Sequence, residues 1–280
     1  MDAIAQGIGR HFVIACLALG LTMTASSNAA ELQTETLRAY REYIRDVRRS
    51  FDERVAAGRA LSDVADTGTV MRDGQVLVQA VRGDGIVPVP GGLIHHWRAV
   101  AFIPKASLRE AIAVSQDYAN YKHVYEPVRE AAVLEQHGET FRVLIRLHKG
   151  SGLVSAVLDV WSVVVYQQNG DGVMYSVSES ERVAEVENAG RPDERRLRPD
   201  QGTGYLWRTS TFSRLAEQEA GVLVELENLG LSRSFPPLLG WIIEPIARRI
   251  GRSSVEDSVV EFRTAVVAAH SARTPAVTNR

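Results

Sequence analysis

The segment from Glu31 to Leu61 has its hydrophobic residues at the spacing of an α-helix. They follow one another at steps of three or four residues and therefore share one face: Leu37, Tyr40, Ile44, Val47, Phe51 and Val55. The remaining positions are rich in Arg and Glu at i, i+4 spacing. This pattern predicts an amphipathic N-terminal helical arm over residues 31–66 that docks on the following domain. A coiled-coil helix for a partner is the alternative, although the stripe lasts only about two and a half heptads.

From Val70 onward the hydrophobic pattern changes to a period of two, which is typical of half-buried strands. The alternating runs predict strands over 76–82, 93–103, 129–136, 140–149, 157–168, 173–186, 205–217 and 221–231. Asn169-Gly170 and Asp171-Gly172 lie between two of these runs and indicate a hairpin. The charged stretch 188–204 contains two prolines and is predicted to be an exposed loop.

Two helices are predicted among and after the strands. Ser107 and Glu110 form a capping box for a helix over 108–118, and Ser253 and Glu256 form one for a C-terminal helix. The C-terminal helix has one apolar face, made by Val255, Val259, Phe262, Val266 and Ala269. We therefore predict an α+β fold, in which a curved antiparallel sheet of about seven strands wraps around the long C-terminal helix and can leave a gap for an apolar ligand.

The first thirty residues have the layout of a secretory signal peptide. A weakly basic start precedes an apolar run from Phe12 to Leu21, and small residues follow up to Ala30. Cleavage after Ala29 or Ala30 would place the mature protein in the periplasm or outside the cell. An uncleaved anchor, a buried helix and a lipid-modified Cys16 are the alternatives for this segment.

Composition narrows the classes of function. The chain has 280 residues, 45% hydrophobic and 24% charged, and a formal net charge of −2. This balance is that of an average globular protein and favours neither disorder nor nucleic-acid binding. The single cysteine excludes an intramolecular disulfide and a multi-cysteine metal site. His95 and His96 are adjacent on a predicted strand and point to opposite faces, so we predict neither a metal nor a cofactor.

Three stretches of the chain carry a resemblance to a known family: residues 97–104 (WRAVAFIP), residues 117–127 (DYANYKHVYEP), and residues 221–227 (GVLVELE) with 231–236 (LSRSFP). They resemble the START-like or SRPBCC superfamily, which has the helix-grip fold and includes polyketide cyclases, coenzyme Q-binding proteins and plant allergens. The resemblance covers about residues 70–269. It implies a START-like domain, placed at 67–270 before a flexible tail at 271–280, with a cavity for a lipid, isoprenoid, sterol or polyketide. Many characterised members are intracellular, whereas this protein is predicted to be exported. The resemblance therefore does not identify the ligand.

One face of the predicted strands is expected to line the cavity. It comprises Phe141, Val143, Ile145, Leu147, Trp161, Tyr175, Val177, Tyr205 and Trp207, together with Phe262 and Val266 on the C-terminal helix. A filled core without a ligand is the alternative, because alternation predicts facing and not empty space.

Charged residues interrupt two of the apolar strands. Arg208, Glu225 and Glu227 are candidates for a polar anchor that holds a ligand head group in the cavity, because a buried carboxylate needs a cationic partner. Cross-strand pairing on the surface, with Arg214 as a further partner, is the alternative.

The segment 236–251 is apolar and ends in arginines. Trp241, Arg248 and Arg249 suit contact with an anionic membrane surface, so we interpret the segment as a short amphipathic lid at the cavity mouth. A packed connector is the alternative, since core helices also carry such stripes.

The sequence predicts binding, extending to transport, of a lipid or other hydrophobic small molecule in an internal cavity. The partners would be this molecule and, transiently, a membrane surface. No catalytic residue is predicted, because no nucleophile-elbow motif is present. The alternatives are a cyclase- or hydrolase-like enzyme on the same fold and an envelope interaction protein with a filled core.

Overall fold

The computed structural model describes residues 30–61, 70, 74–151, 154–170, 172–234 and 237–273. The predicted signal peptide lies outside these residues except for Ala30, and so does the chain from 274 to 280. Ala30 and Glu31 form a short strand with Gln201 and Gly202. No helix in the described part of the chain is long and apolar enough to span a membrane.

The elements follow one another as a short strand, a long helix, a series of antiparallel strands interrupted by small helices, and a final long helix. The helices are α1 (Thr34–Ala56), α2 (Leu108–Gln116), α3 (Tyr121–Val124) and α4 (Pro237–Arg273), with a 3₁₀ turn at Tyr118–Asn120. The strands are β1 (Ala30–Glu31), β2 (Leu77–Ala80), β3 (Ile86–Val89), β4 (Gly92–Pro104), β5 (Val128–His137), β6 (Thr140–Ser151), β7 (Val154–Asn169), β8 (Val173–Glu187), β9 (Arg195–Arg196), β10 (Gln201–Gly202), β11 (Arg208–Gln218) and β12 (Gly221–Arg233).

One large sheet dominates the molecule. Ten strands pair in the order β2-β4-β12-β11-β8-β7-β6-β5, with β3 also paired to β4 and β9 to β8, and every pairing is antiparallel. The predicted α+β class is confirmed, since this sheet lies against a long C-terminal helix. It has more strands than the seven expected, because the short strands β2, β3 and β9 extend the seven long ones.

The C-terminal helix α4 is longer than the sequence predicts. It runs without a break over 37 residues and contains Pro245, so residues 237–251 are not a separate helix. The predicted capping box at Ser253 is wrong, because this residue lies inside the helix and its hydroxyl donates 3.4 Å to the carbonyl of Ile250. A serine within a continuing helix bonds the carbonyl one turn back instead of the free N–H groups of a helix start. The capping box at Ser107 and Glu110 does begin α2.

Helix α4 covers one face of the sheet, which we call the grip face. Val259 packs against Ala101 of β4. On the other side of the helix, Lys149 Nζ of β6 donates 2.6 Å to Ser254 Oγ. Because β12, β11, β8 and β7 separate β4 from β6, contacts with both show that the sheet curls around α4.

Helix α1 covers the opposite face, which we call the outer face. Tyr40 and Phe51 of α1 are buried in one cluster with Phe212 of β11. The hydroxyl of Tyr43 lies 2.8 Å from His96 Nδ1 on β4. The predicted apolar stripe of the arm is therefore the face that contacts the sheet, and both faces of the sheet are covered.

Candidate ligand cavity

The centre of the grip face is polar. Ser176 and Ser178 of β8, Thr211 and Ser213 of β11, and Asn228 of β12 lie side by side there. In the strand register, Thr211 lies between Ser178 and Asn228, and Ser213 lies opposite Ser176. We call these residues the hydroxyl ladder.

The neighbouring core identifies the face on which the ladder lies. Met174 precedes Ser176 by two positions, and Leu215 follows Ser213 by two positions. Both pack in one cluster with Phe262 of α4. Side chains two positions apart on a strand share a face, so the ladder faces α4.

The ladder uses only part of its hydrogen-bonding capacity internally. Ser176 Oγ and Ser213 Oγ are 2.5 Å apart, and Asn228 Nδ2 donates 2.8 Å to Thr211 Oγ1. Within the described part of the chain, the hydroxyl of Ser178 has no hydrogen-bond partner. A hydroxyl offers one donor and two lone pairs and an amide adds two donors, so several groups remain free for a ligand or water.

The ladder keeps water-accessible surface although it lies in the middle of the sheet. Its residues are half-buried, whereas the alternate residues Tyr175, Val177 and Phe212 are buried on the outer face. Neighbouring strands flank the ladder on both sides, and α1 covers the outer face. The accessible surface of the ladder therefore faces α4, and we interpret it as one wall of a space between the sheet and this helix.

A filled aromatic core closes this space at the end near α2. Tyr118, Phe141 and Tyr166 are buried there with Phe262 of α4. The hydroxyls of Tyr118 and Tyr166 lie 2.8 Å apart. Burial raises the pKa of Tyr118, and the nearby Tyr166 raises it further, so both hydroxyls stay protonated.

Half-buried apolar side chains lie elsewhere on the grip side. Leu226 of β12 lies directly opposite Ser213, and Ile145 and Leu147 of β6 lie beyond β7, further along the sheet. Tyr205 and Leu147 pack in one cluster with Val160 of β7 and Val183 of β8. We call Ile145, Leu147, Tyr205 and Leu226 the apolar rim.

A second polar group lies where β4 meets α4. His95 Nε2 is 2.9 Å from Ser232 Oγ, and burial lowers the pKa of His95 to about 4, so its ring is neutral at pH 7. His95 Nδ1 and Trp97 Nε1 are buried without a hydrogen-bond partner among the described residues. A Cβ at Gly251 of α4 would lie 2.8 Å from Trp97 Nε1, so glycine permits this close contact of helix and sheet.

Lys149 closes the gap between β6 and α4. Its ammonium donates to Ser254 Oγ, as described above. Burial lowers the pKa of Lys149, and the charges of Asp257, Glu261 and Glu126 act in the opposite direction. Desolvation in the same region raises the pKa of Glu261. Titratable side chains of β6 and α4 therefore lie close together where this part of the sheet meets the helix.

The predicted cavity lining is divided between the two faces. Phe141, Val143, Ile145, Leu147, Tyr205, Phe262 and Val266 lie on the grip side. Tyr175, Val177 and Trp207 lie on the outer face under α1, and Trp161 is also on the outer face, between Arg182 and Arg196. The predicted facing of these four residues is corrected. The apolar positions of β8 and β11 lie against α1, so their alternate, polar positions face α4.

The predicted polar anchor is on the outer face as well. Glu225 accepts 2.8 Å from Arg214, its cross-strand neighbour. Glu227 lies 2.7 Å from His96 Nε2 and accepts 2.8 Å from Arg98. The alternative of cross-strand pairing describes these contacts, although Glu225 and Glu227 are buried and not at the surface.

Arg208 does not pair with Glu225 or Glu227. It is buried on the outer face and pairs with Asp200 in the loop before β10. Among the described residues, no group of His, Cys, Asp and Glu could hold a metal ion.

The predicted lid residues lie on the first half of α4. Arg248 forms an ion pair of 3.1 Å with Asp84, and Arg249 is exposed. The side chain of Trp241 lies outside the part that the structure describes.

The sequence reasoning missed the hydroxyl ladder. Its signal was present, because Ser176 and Ser178 alternate with Tyr175 and Val177 along β8. The sequence prediction places the apolar set in the cavity because it counts the C-terminal helix as the cover of a single sheet face. The amphipathic helix of the arm indicates a second cover for the sheet, and the apolar residues of β8 and β11 could pack against it.

No protein-family model matches the sequence, and no curated protein matches it. The structure is similar to several solved structures at low sequence identity. A STAR-related lipid transfer protein from Xanthomonas axonopodis is 15% identical, with 65% of this chain and 98% of that chain covered and a TM-score of 0.42. The Zhui aromatase/cyclase from Streptomyces sp. R1128 is 14% identical, with 67% and 99% covered and a TM-score of 0.41. Human STARD10 is 10% identical, with 75% and 81% covered and a TM-score of 0.42.

These similarities concern the fold alone. The helix-grip fold follows from the chain's own topology, an antiparallel sheet curled around the C-terminal helix. One fold hosts many functions. The function must therefore be argued from the cavity.

Proposed function

We propose that this protein binds a hydrophobic or amphipathic small molecule non-covalently in the space between the grip face and α4. The half-buried hydroxyl ladder carries this proposal. Partly exposed polar side chains in the centre of a covered sheet are costly to dehydrate without partners. A concave site with apolar walls and a few converging polar groups is the usual form of a small-molecule pocket.

Burial of the ligand's hydrocarbon part would supply most of the binding free energy. The apolar rim offers Ile145, Leu147, Tyr205 and Leu226 for this contact, all half-buried. Each CH₂ group removed from water contributes about 0.8 kcal/mol. The ladder would then orient the polar end of the molecule without reacting with it.

Native mass spectrometry of the protein purified without detergent tests this function. We expect a stoichiometric small molecule that organic solvent extracts. The variant Ser213→Phe would place a ring in the space and should lose the ligand. The matched variant Thr264→Trp lies on an exposed position of α4 and should retain it. A protein without any ligand, which also fails to bind added amphiphiles, would contradict the proposal.

An exported location is part of the proposal, supported by the signal-peptide layout of residues 1–30. The mature protein would carry its ligand in the periplasm or outside the cell. Fractionation of cells that express the full chain, with N-terminal sequencing, tests this. We expect a chain that starts at Ala30 or Glu31; an intact Met1 in the cytosolic fraction would contradict export.

Transient membrane contact through the first half of α4 would allow the ligand to be transferred. Exposed Arg249, Arg248 and the sequence position of Trp241 support it, since arginines beside aromatic residues suit anionic lipid surfaces. We expect the protein to float with vesicles rich in anionic lipid, and Trp241→Ala and Arg248→Ala to weaken flotation. Wild-type protein that stays in the soluble fraction would exclude this route.

An acyl-transfer enzyme is the second candidate, and the Ser232–His95 pair on the grip side is the observation that favours it. Nucleophilic catalysis needs a base that receives the serine proton and a group that orients the base. His95 Nδ1 has no such partner among the described residues, and a pKa of about 4 makes the ring a weak base. Labelling by a fluorophosphonate that is abolished in Ser232→Ala would establish the enzyme; unlabelled protein supports non-covalent binding.

A further inference from the structure

The chemistry of the ladder specifies the ligand further, an inference that rests on the proposed binding function. We propose that the ligand is an amphiphile with an uncharged, polyoxygenated part, an array of hydroxyl or carbonyl oxygens, that lies on Ser178, Thr211 and Ser213. Its hydrocarbon part lies on the apolar rim.

The ladder is electrically neutral, which is the first reason for this class. Serine, threonine and asparagine side chains provide donors and acceptors together but no charge. Its row continues to Trp97 on β4, the cross-strand neighbour of Asn228, and this indole is also uncharged. A phosphate or carboxylate buried on such a surface would lack the cation that it needs. Uncharged oxygens match the ladder without that cost.

The second reason is the position of the charged residues. Arg214, Glu225 and Glu227 all lie on the outer face, behind the sheet. On the grip side, Lys149 is held by Ser254 on α4 at the sheet edge, separated from β8 by strand β7. His95 is neutral in the folded protein because burial disfavours its charged form. The charges of this part of the sheet are thus directed away from the ladder.

The third reason is the size and the array of the ladder. One row of it runs across three neighbouring strands, and a second row, two residues further along, is present on β8 and β11. With about 4.8 Å between strands and about 3.3 Å per residue, the patch measures about 10 Å by 7 Å. This area fits a sugar ring or two fused oxygenated rings. A single hydroxyl, as on a fatty alcohol or a sterol, would leave most of the array without partners.

Amphiphiles with one chain and different head groups test the proposal. The probes are decyl glucoside, decanol, decyl phosphocholine and decanoate, each below its critical micelle concentration and measured by isothermal titration with the delipidated full chain. We expect decyl glucoside to bind at least tenfold more tightly than decanol, decyl phosphocholine or decanoate. Tighter binding of decanoate or decyl phosphocholine would overturn the proposal.

Variants of the ladder provide the second arm. Ser178→Ala combined with Thr211→Val keeps the volume of the site and removes two hydroxyls. It should lower the affinity for decyl glucoside at least tenfold and change the affinity for decanol by no more than about twofold. The control Ser155→Ala changes an exposed serine of β7 and should alter neither. Equal weakening of both probes would overturn the proposal, and thermal melts of all variants confirm that they fold.

The outcomes separate the two levels of the argument. If no probe binds and extraction yields no ligand, the binding function itself fails. If all four probes bind with similar affinity, the binding function stands and the polyoxygenated class is wrong. Organic extraction then distinguishes a glycosylated lipid from a polyketone or polyol, which share the oxygen array.

Discussion

At the scale of single residues, Glu225 is fully buried on the outer face, and Arg214 donates 2.8 Å to its carboxylate. Removing Arg214 takes a cation away from this buried carboxylate, and breaking a buried ion pair costs about 3–5 kcal/mol. We expect Arg214→Met to lower the free energy of unfolding by about this amount, measured by urea titration at pH 7.

The double variant separates the two parts of this cost. Arg214→Met with Glu225→Leu removes both charges, so most of the lost stability should return. Arg142→Met is the matched control, because the exposed Arg142–Glu181 pair should contribute little to stability. A double variant as unstable as the single one would show that the buried charge is not the cause.

The sequence predicts only in part on which face of the sheet each side chain lies. Phe141, Val143 and Phe262 lie on the grip side as the sequence suggests, because β6 and α4 have a single apolar face. For Tyr175 and Val177, alternation shows that the two side chains share a face of the sheet. It does not show whether α1 or α4 packs on that face. That choice depends on where α1 docks, a long-range contact that no local pattern contains.

At the scale of elements, α1 is an integral cover of the sheet. Phe51 is buried against Phe212 and Tyr175, with ring centroids 5.1 and 6.0 Å apart. Truncation of a buried Phe costs about 3–5 kcal/mol, because it removes apolar contact and leaves a cavity. We expect Phe51→Ala to lower the free energy of unfolding by this amount in urea.

Arg49→Ala is the control for this helix. Arg49 is exposed and, within the described part of the chain, pairs with Asp46 alone, so its loss should change stability by less than about 1 kcal/mol. If Phe51→Ala were as mild as Arg49→Ala, α1 would be a detachable arm. The cooperative transition should also remain single, since α1 and the sheet share one core.

Local signals predicted some elements better than others. The capping box at Ser107 is a short-range feature, and it begins α2 as expected. The similar residues at Ser253 do not begin a helix, because α4 already runs from Pro237 and neither Pro245 nor Gly251 interrupts it. A capping sequence specifies a start only where the preceding chain is not helical, which tertiary packing decides.

At the scale of the whole molecule, acid should unfold the protein through its buried carboxylates. Burial raises the pKa of Glu227, but the His96 hydrogen bond and the Arg98 charge outweigh it and hold the pKa below its usual range. The arginines beside Asp159 do the same there. A carboxylate with a lowered folded pKa stabilises the fold above its unfolded pKa of about 4, and this stability is lost as pH falls further.

Urea midpoints measured between pH 7 and pH 2 should therefore show a loss of stability below about pH 4. Glu227→Gln should be less stable at pH 7 and should lose less on acidification, because one titrating group is gone. A variant profile parallel to that of the wild type would show that Glu227 does not contribute to acid unfolding.

A second, separate loss of stability should appear at higher pH. Burial lowers the folded pKa of His95 to about 4, whereas an unfolded histidine titrates near about 6.5. Between these values the unfolded state binds a proton that the folded state does not, so stability falls as pH drops through this window. We expect the urea midpoint of the wild type to decrease between pH 7 and pH 5, before the carboxylates titrate.

In His95→Gln, which can still hydrogen-bond Ser232, this decrease should shrink, whereas His137→Gln at an exposed position should keep it. An unchanged decrease in His95→Gln would mean that the ring is hydrated, and the space between β4 and α4 would then reach further than the described contacts indicate.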